Sequence, residues 1–420
     1  MRRPGVAVLV VLLAALLVWG ASCARQQPAE EKPKIETRTL VALLPLTGVL
    51  STFGENGKVS ATLATKDVNE WLEKEGKPWR LDLKVEDTAT DPPTALQKMK
   101  TWFGTGVKFF IGPYASGECK ECLTFANANK ILFVASSSTS PALSIPNDSL
   151  FRFCPDDLVQ SPAVARTAWE AGVRHLIISW RGDTWGDGLQ KGISEAFPKM
   201  GGKVYDKGVR YDPALEDFPK EAALLNDYVR DLMNQGVPKN QIGIVLIAFE
   251  EVAPYMAAAA KYPVLQEVPW FGTDGTAHSA ALQKEPKGAP FAAKAKFVST
   301  MFAPGTAEKS RFQYVKDHVF SVLNRETDAY SYNVYDMVWS LALCMDEVGY
   351  DSEKAMGILP RVADEWTKVN GASGHVVLNA AGDRAFADYE LWYLNESNEW
   401  EMIGIWRGQT DTVEWIRKIH

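Results

Sequence analysis

The chain lacks the usual marks of a nucleic-acid binder, a metal centre or a common hydrolase. Lysine and arginine number 45 against 52 aspartate and glutamate, a formal net charge of −7. The basic footprint that phosphate backbones require is therefore missing, and no nucleic-acid partner is expected. Histidine is scarce: His175, His278, His318, His375 and His420 are dispersed over 420 residues. There is no H-E-x-x-H, no G-x-x-x-x-G-K-[ST] and no G-x-S-x-G, which removes the zincin helix, the nucleotide-phosphate loop and the strained serine elbow. No cofactor and no enzymatic activity are expected. Cysteine is also sparse, with Cys23, Cys119, Cys122, Cys154 and Cys344 the whole complement. Cys119 and Cys122 have C-x-x-C spacing, but no second such pair completes a four-ligand zinc site, so no metal is expected. The pair reads as a local disulfide or as two inert helix cysteines. Cys154 and Cys344 read as buried structural thiols. No apolar run reaches the roughly 20 residues that span a bilayer. The fourteen tryptophans are scattered, as core and interface residues are.

What is present begins with a leader. Met1-Arg2-Arg3 precedes an apolar run of about fifteen residues, then Gly20-Ala21-Ser22-Cys23, which reads as a signal peptide over 1–22. A cysteine after small residues resembles the lipobox of bacterial and archaeal lipoproteins, with Gly20 a departure from its usual aliphatic residue. The resemblance implies lipid on Cys23 and a protein tethered outside the cytoplasmic membrane. An ordinary signal peptide cut nearby and an uncleaved anchor are the other readings. Residues 23–37, rich in Gln, Pro, Glu and Lys, cannot bury a core and read as a spacer.

About 380 residues follow, enough for two lobes. Short buried-strand runs alternate with helical periodicity from Leu40 onward, and the alternation restarts after Pro155. It predicts an α/β fold of two doubly wound parallel-sheet lobes joined by a hinge. Ligands in such folds sit beyond the carboxyl ends of the strands. The loops at 45–56, 112–117, 135–141, 180–187, 248–251 and 272–276 are therefore the candidates. They share Gly, Ser, Thr, an aromatic and a carboxylate, a set suited to a small polar ligand.

Five segments in order resemble the type I periplasmic binding proteins, specifically the leucine/isoleucine/valine-binding receptors of ABC importers. They are Pro45-Leu46-Thr47-Gly48 with Phe53-Gly54; Ile111-Gly112-Pro113-Tyr114-Ala115-Ser116; Trp185-Gly186-Asp187-Gly188; Phe271-Gly272-Thr273-Asp274-Gly275; and 371–384, with Ser373-Gly374-His375 and Gly382-Asp383-Arg384. The resemblance implies a carboxylate grip from Ser116, Ser138 and Thr139, and an ammonium grip from Asp274. It also implies aromatic walls from Trp185 and Phe53. It places the first lobe at 38–154 and 302–365, and the second at 155–301 and 366–420. Glu250 stands where the family often carries an aromatic. Aimed inward, it would favour a polar or cationic ligand over leucine; aimed outward, it pairs elsewhere. Tyr330, Tyr332 and Tyr335 share helical spacing and read as packing, with Tyr330 at a pocket edge.

The expected function is an extracytoplasmic solute-binding lipoprotein of an ABC importer, taking an amino acid, amide or related polar solute and docking on a membrane permease. A sensory protein that signals to a membrane receptor and a secreted amide hydrolase are the rival readings. Alone, each motif has a plainer meaning: Ser136–Ser140 a surface loop, Asp274 a turn residue, Asp183 and Asp187 helix caps.

Overall fold

The structure, a computed structural model, describes residues 35–304 and 309–420. The leader at 1–22, Cys23 and nearly all of the spacer at 23–37 lie outside the described residues. Among the described residues no helix is long and apolar enough to cross a membrane.

The first lobe alternates β1 (Glu36–Leu44), α1 (Ser51–Lys74), β2 (Trp79–Asp87), α2 (Pro92–Phe103), β3 (Phe109–Ile111), α3 (Ser116–Asn129), β4 (Leu132–Ala135) and β5 (Leu150–Arg152). The second continues with α4 (Asp157–Glu170), β6 (His175–Arg181), α5 (Thr184–Lys199), β7 (Lys203–Val204), β8 (Val209–Tyr211), α6 (Pro219–Asn234), β9 (Ile242–Ile247), α7 (Val252–Ala259), β10 (Trp270–Gly272), α8 (Ala280–Lys284), α9 (Gly288–Lys294) and β11 (Val298–Phe302). Three helices follow, α10 (Lys309–Leu323), α11 (Ala329–Val348) and α12 (Ser352–Asn370). The strands β12 (Tyr389–Leu394), β13 (Trp400–Arg407) and β14 (Thr412–Trp415) end the chain's regular structure.

Two sheets organise these elements. The first has the order β2-β1-β3-β4-β5, and its β1–β3, β3–β4 and β4–β5 pairs are parallel. Leu40, Val41, Ala42, Leu43 and Leu44 of β1 are all fully buried, because helices cover both faces of the sheet. α10 and α11 pack on α1, and α12 reaches β4, so 309–370 returns to this lobe. The second sheet has the order β14-β13-β12-β11-β10-β9-β6-β7, with β8 also on β6. Parallel strands β6, β9, β10 and β11 form its middle.

Three expectations change. The second sheet is mixed, because β11–β12, β12–β13 and β13–β14 are antiparallel. Short turns suffice for antiparallel neighbours, whereas a parallel strand needs a crossover. α12 runs to Asn370, through the lobe boundary placed at 365/366. The loop expected over 45–56 ends early, since α1 starts at Ser51 and carries Phe53 on its first turn. Its glycines mark close approach instead of a turn: a Cβ on Gly54 would lie 2.0 Å from the Pro45 carbonyl oxygen, and one on Gly57 2.0 Å from the Tyr114 hydroxyl.

Candidate ligand-binding cleft

The strand-end loops of the two lobes meet at a narrow cleft. Leu50, Phe53, Tyr114, Ala115, Ser116, Ser137 and Tyr330 line it from the first lobe; Trp185, Phe249, Asp274 and Gly275 line it from the second. Phe53, Ser116, Trp185 and Asp274, four of the residues expected from sequence, are thus brought together.

The hydroxyl end is built on α3. Ser116 is its first residue, and the Ser116 Oγ accepts the Ser140 amide at 3.1 Å, so the two strand-end loops brace each other. A serine at the start of a fourteen-residue helix offers an oxyanion both a hydroxyl and the positive end of the helix dipole. Ser137 Oγ donates to the Tyr114 carbonyl at 3.1 Å and stays half-buried at the cleft.

Ser138 and Thr139 are not among the residues that line the cleft, and Glu250 takes the outward of its two readings. Ser138 is fully buried; its Oγ donates to the Tyr114 carbonyl at 2.8 Å and lies 3.0 Å from Cys119 Sγ. Ser137 lines the cleft, whereas Ser138, whose hydroxyl shares the Tyr114 carbonyl with it, is buried outside the lining. Thr139 is fully buried beside Asp157, and its carbonyl accepts the Asp157 amide at 2.8 Å. Glu250 turns away, its Oε2 taking Ser279 Oγ and the Ala281 amide (3.1 Å) at the start of α8. Phe249 takes the cleft position that the sequence reading gave to Glu250. The second acid near the ligand is therefore absent at 250, and the argument against an apolar side chain goes with it.

A second acid stands elsewhere. Asp157, in the first turn of α4, is fully buried with neither carboxylate oxygen hydrogen-bonded. Burial pushes its carboxyl well above the usual carboxylate range, and the nearby Asp274 charge adds to the shift. Asp274 is raised by the same desolvation; its Oδ2 accepts Tyr330 Oη at 2.5 Å and its Oδ1 has no partner. Asp274, which lines the cleft beside Tyr330, suits a cationic nitrogen, and Asp157 stands near it outside the lining. Sequence reading missed Asp157 because Asp156-Asp157 at a helix start looks like a cap, and Asp156 does cap, accepting the Leu158 amide at 3.0 Å.

Aromatic rings fill the space between the two ends. Trp185 stacks on Phe249 with centroids 4.5 Å apart, and Phe53 meets Tyr330 at 6.3 Å. The rims of the lobes also touch directly: Ser140 Oγ donates to the Thr184 carbonyl at 2.8 Å, and the Glu250 amide to the Val49 carbonyl at 3.3 Å.

The cysteine pair is not a disulfide. Cys119, Cys122, Cys154 and Cys344 are free and buried. Cys119 Sγ lies 3.4 Å from the Pro113 carbonyl oxygen and points to Ser138, and burial pushes the Cys122 thiol up to about 12. Thiolate is the reactive form. The native protein is therefore expected to react with a chromogenic disulfide at none of these four cysteines, and at all four once denatured without reductant. Only two titrating on denaturation would restore the bridge.

Among known proteins, the family model for the receptor family ligand binding region matches residues 56–397. The uncharacterized protein MJ1266 of Methanocaldococcus jannaschii is 32% identical over 390 residues, 89% of this chain and 90% of that protein. In fold, the chain is similar to the leucine binding protein LivK of Thermotoga maritima (TM-score 0.73, 19% identity, 89% of this chain and 99% of that one). It is similar also to LivJ of Streptococcus pneumoniae, a branched-chain amino acid transporter substrate binding protein solved with isoleucine (TM-score 0.72, 16% identity, 91% and 99%). These likenesses identify the fold as that of type I periplasmic binding proteins, and the family match over most of the chain means that this protein belongs to the receptor ligand-binding-region family.

Proposed function

We propose that this chain is an extracytoplasmic solute-binding protein of an ABC importer that closes two lobes around an α-amino acid or a closely related zwitterion. In this reading Cys23 carries the lipid anchor and a membrane permease receives the closed form. The observation that carries the reading is the polarity of the cleft. Ser116 and Ser137 stand at one end, Asp274 backed by Asp157 at the other, and aromatic rings between. The hydroxyls and the α3 amides take the carboxylate, and the acids take the ammonium. The segments crossing between the sheets near Phe151–Pro155, near Thr300–Pro304 and around Gly371–Asp388 act as the hinge. The rim contacts Ser140–Thr184 and Val49–Glu250 latch the closed form.

A thermal-shift screen of the purified protein against amino acids, amides and polyamines tests this. A ligand bound only to the folded state raises the melting temperature by mass action. An amino acid that stabilises the protein supports the reading; stabilisation by polyamines or amides alone, or by none of the set, rejects it.

Affinity is also expected to fall in acid. Burial raises both Asp274 and Asp157, with Arg152 opposing the shift at Asp157 and Asp156 adding to it. An ammonium pairs with the ionised form, so lowering the pH through the raised pKa protonates its partner. Calorimetry as the pH is lowered through the raised pKa is expected to show affinity lost by up to about tenfold per pH unit, with proton release on binding. The empty protein moves the other way. Its raised carboxyls bind more protons folded than unfolded, so they favour folding less as pH rises. A flat affinity profile would mean that no buried acid contacts the ligand.

A further inference from the structure

Arg181 does not line the cleft, yet it stands directly behind the cleft's principal wall. Its guanidinium carbon lies 4.2 Å from the centroid of the Phe249 ring. On the other side of Phe249, Trp185 stacks at 4.5 Å with an interplanar angle of 17°. Phe249 thus lies between the cation and the indole, and both rings line the cleft. Aromatic pairs ordinarily avoid face-to-face stacking because both faces are electron-rich. A cation on the far face of Phe249 draws that density away from Trp185 and so favours the flat arrangement.

The guanidinium is itself held from two sides. Its Nε donates to Asp183 Oδ2 at 2.5 Å, and its Nη1 to Glu251, which also accepts Tyr211 Oη at 3.0 Å. Asp183 Oδ1 caps α5 through the Trp185 amide (3.1 Å) and the Gly186 amide (2.8 Å). One carboxylate therefore fixes both the cation and the helix turn that carries the indole. Three separate elements, the end of β6, the start of α5 and the turn after β9, are tied at one residue. Space on the cleft side is kept by Gly275: a Cβ there would meet Trp185 at 2.7 Å and Phe249 at 2.8 Å.

We infer that Arg181 is the positioning residue that holds Phe249 and Trp185 as one flat, rigid wall, and so determines how the ligand's side chain is accepted. Lysine is a poor replacement, because an ammonium cannot lie flat on the ring while spanning Asp183 and Glu251. With its charge committed behind the ring, Arg181 offers the ligand an apolar surface and no positive charge.

The affinity arm of the test rests on the amino-acid reading above; the spectroscopic arm does not. The full-length protein is labelled with 5-fluorotryptophan, and the Trp185 fluorine resonance is assigned by Trp185→Phe. Arg181→Met with Glu251→Gln removes the cation and its buried counter-charge together, Arg181→Lys keeps a charge, and Arg210→Met breaks an exposed ion pair with Asp187 on the same helix as a control. The inference expects the Trp185 resonance to shift or broaden in the double variant, less so in Arg181→Lys, and not in Arg210→Met. L-leucine and L-phenylalanine, titrated by calorimetry, are expected to bind about tenfold more weakly to the double variant, with Arg181→Lys intermediate. An unmoved Trp185 resonance in Arg181→Lys and in any folded double variant overturns the inference, as do affinities within about twofold of the parent where the parent binds. If the parent binds neither amino acid, the ligand reading is in difficulty while the fluorine signal still decides the role of Arg181. If the double variant does not fold, the resonance of Arg181→Lys decides alone.

Discussion

Arg152→Met is expected to cost about 3–5 kcal/mol of folding stability, the range for stripping one partner from a buried ion pair. Arg152 is fully buried, and its guanidinium is engaged on every side. Nε donates to Asp383 Oδ1 at 2.5 Å, Nη1 to the Ser138 and Ser140 carbonyls at 2.8 and 2.9 Å, and Nη2 to Ser144 Oγ at 3.1 Å. Methionine fills much of the volume but leaves the Asp383 carboxylate, itself 1% exposed, without its counter-ion. The damage would not stay local. Ser140 braces Ser116 at the cleft, and the Arg152 backbone pairs with Gly382 and Arg384 in a segment that crosses between the lobes. Urea unfolding measures the loss. Asp383→Asn added to Arg152→Met is expected to recover part of it, because the uncompensated charge goes. A single variant as stable as the parent would show that the hub contributes little to folding.

Asp274→Asn is expected to weaken binding of the amino acid found in the screen by about a hundredfold or more, since truncating one partner of a desolvated charge pair costs about 2–5 kcal/mol. The empty protein should not suffer. Burial disfavours the ionised Asp274 carboxyl, and its Oδ1 has no hydrogen-bond partner. A neutral amide of the same shape relieves that cost while keeping an oxygen for Tyr330. Stability and affinity therefore move apart: the melting temperature holds or rises, and calorimetric affinity collapses. Affinity within about threefold of the parent would contradict an ammonium held at Asp274, because that factor is less than 1 kcal/mol.

Much of the site was legible because strand-end loops carry their own signatures. Ser116 follows a buried strand and opens a helix, and Trp185 sits in a glycine-flanked helix start. Asp274 lies in Gly272-Thr273-Asp274-Gly275 directly after β10. The misreadings cluster where one residue of register decides a face. Ser136 to Ser140 is nearly uniform in composition, so nothing in it marks Ser137 as outward and Ser138 as inward. At 249–250 the orientation of the acid stayed open and the aromatic was overlooked, and Phe249 is the residue that lines the cleft. Neither Asp157, at a helix start, nor Arg181, at a strand end, was singled out, because nothing in the adjacent residues marks their burial. The loop and disulfide readings failed for a related reason: Gly54 and Gly57 are small because Pro45 and Tyr114 approach, and Cys119 is a packing residue under Ser138.

Strand and helix periodicity and the punctuation between them were enough to determine two α/β lobes and the loops that would face each other, since both follow from local backbone preference and from which runs must be covered. The facing of adjacent side chains, the burial of Asp157 beside Asp274 and the Arg181–Phe249–Trp185 stack were decided only in three dimensions. Each depends on groups far apart in the chain competing for one small, poorly solvated volume.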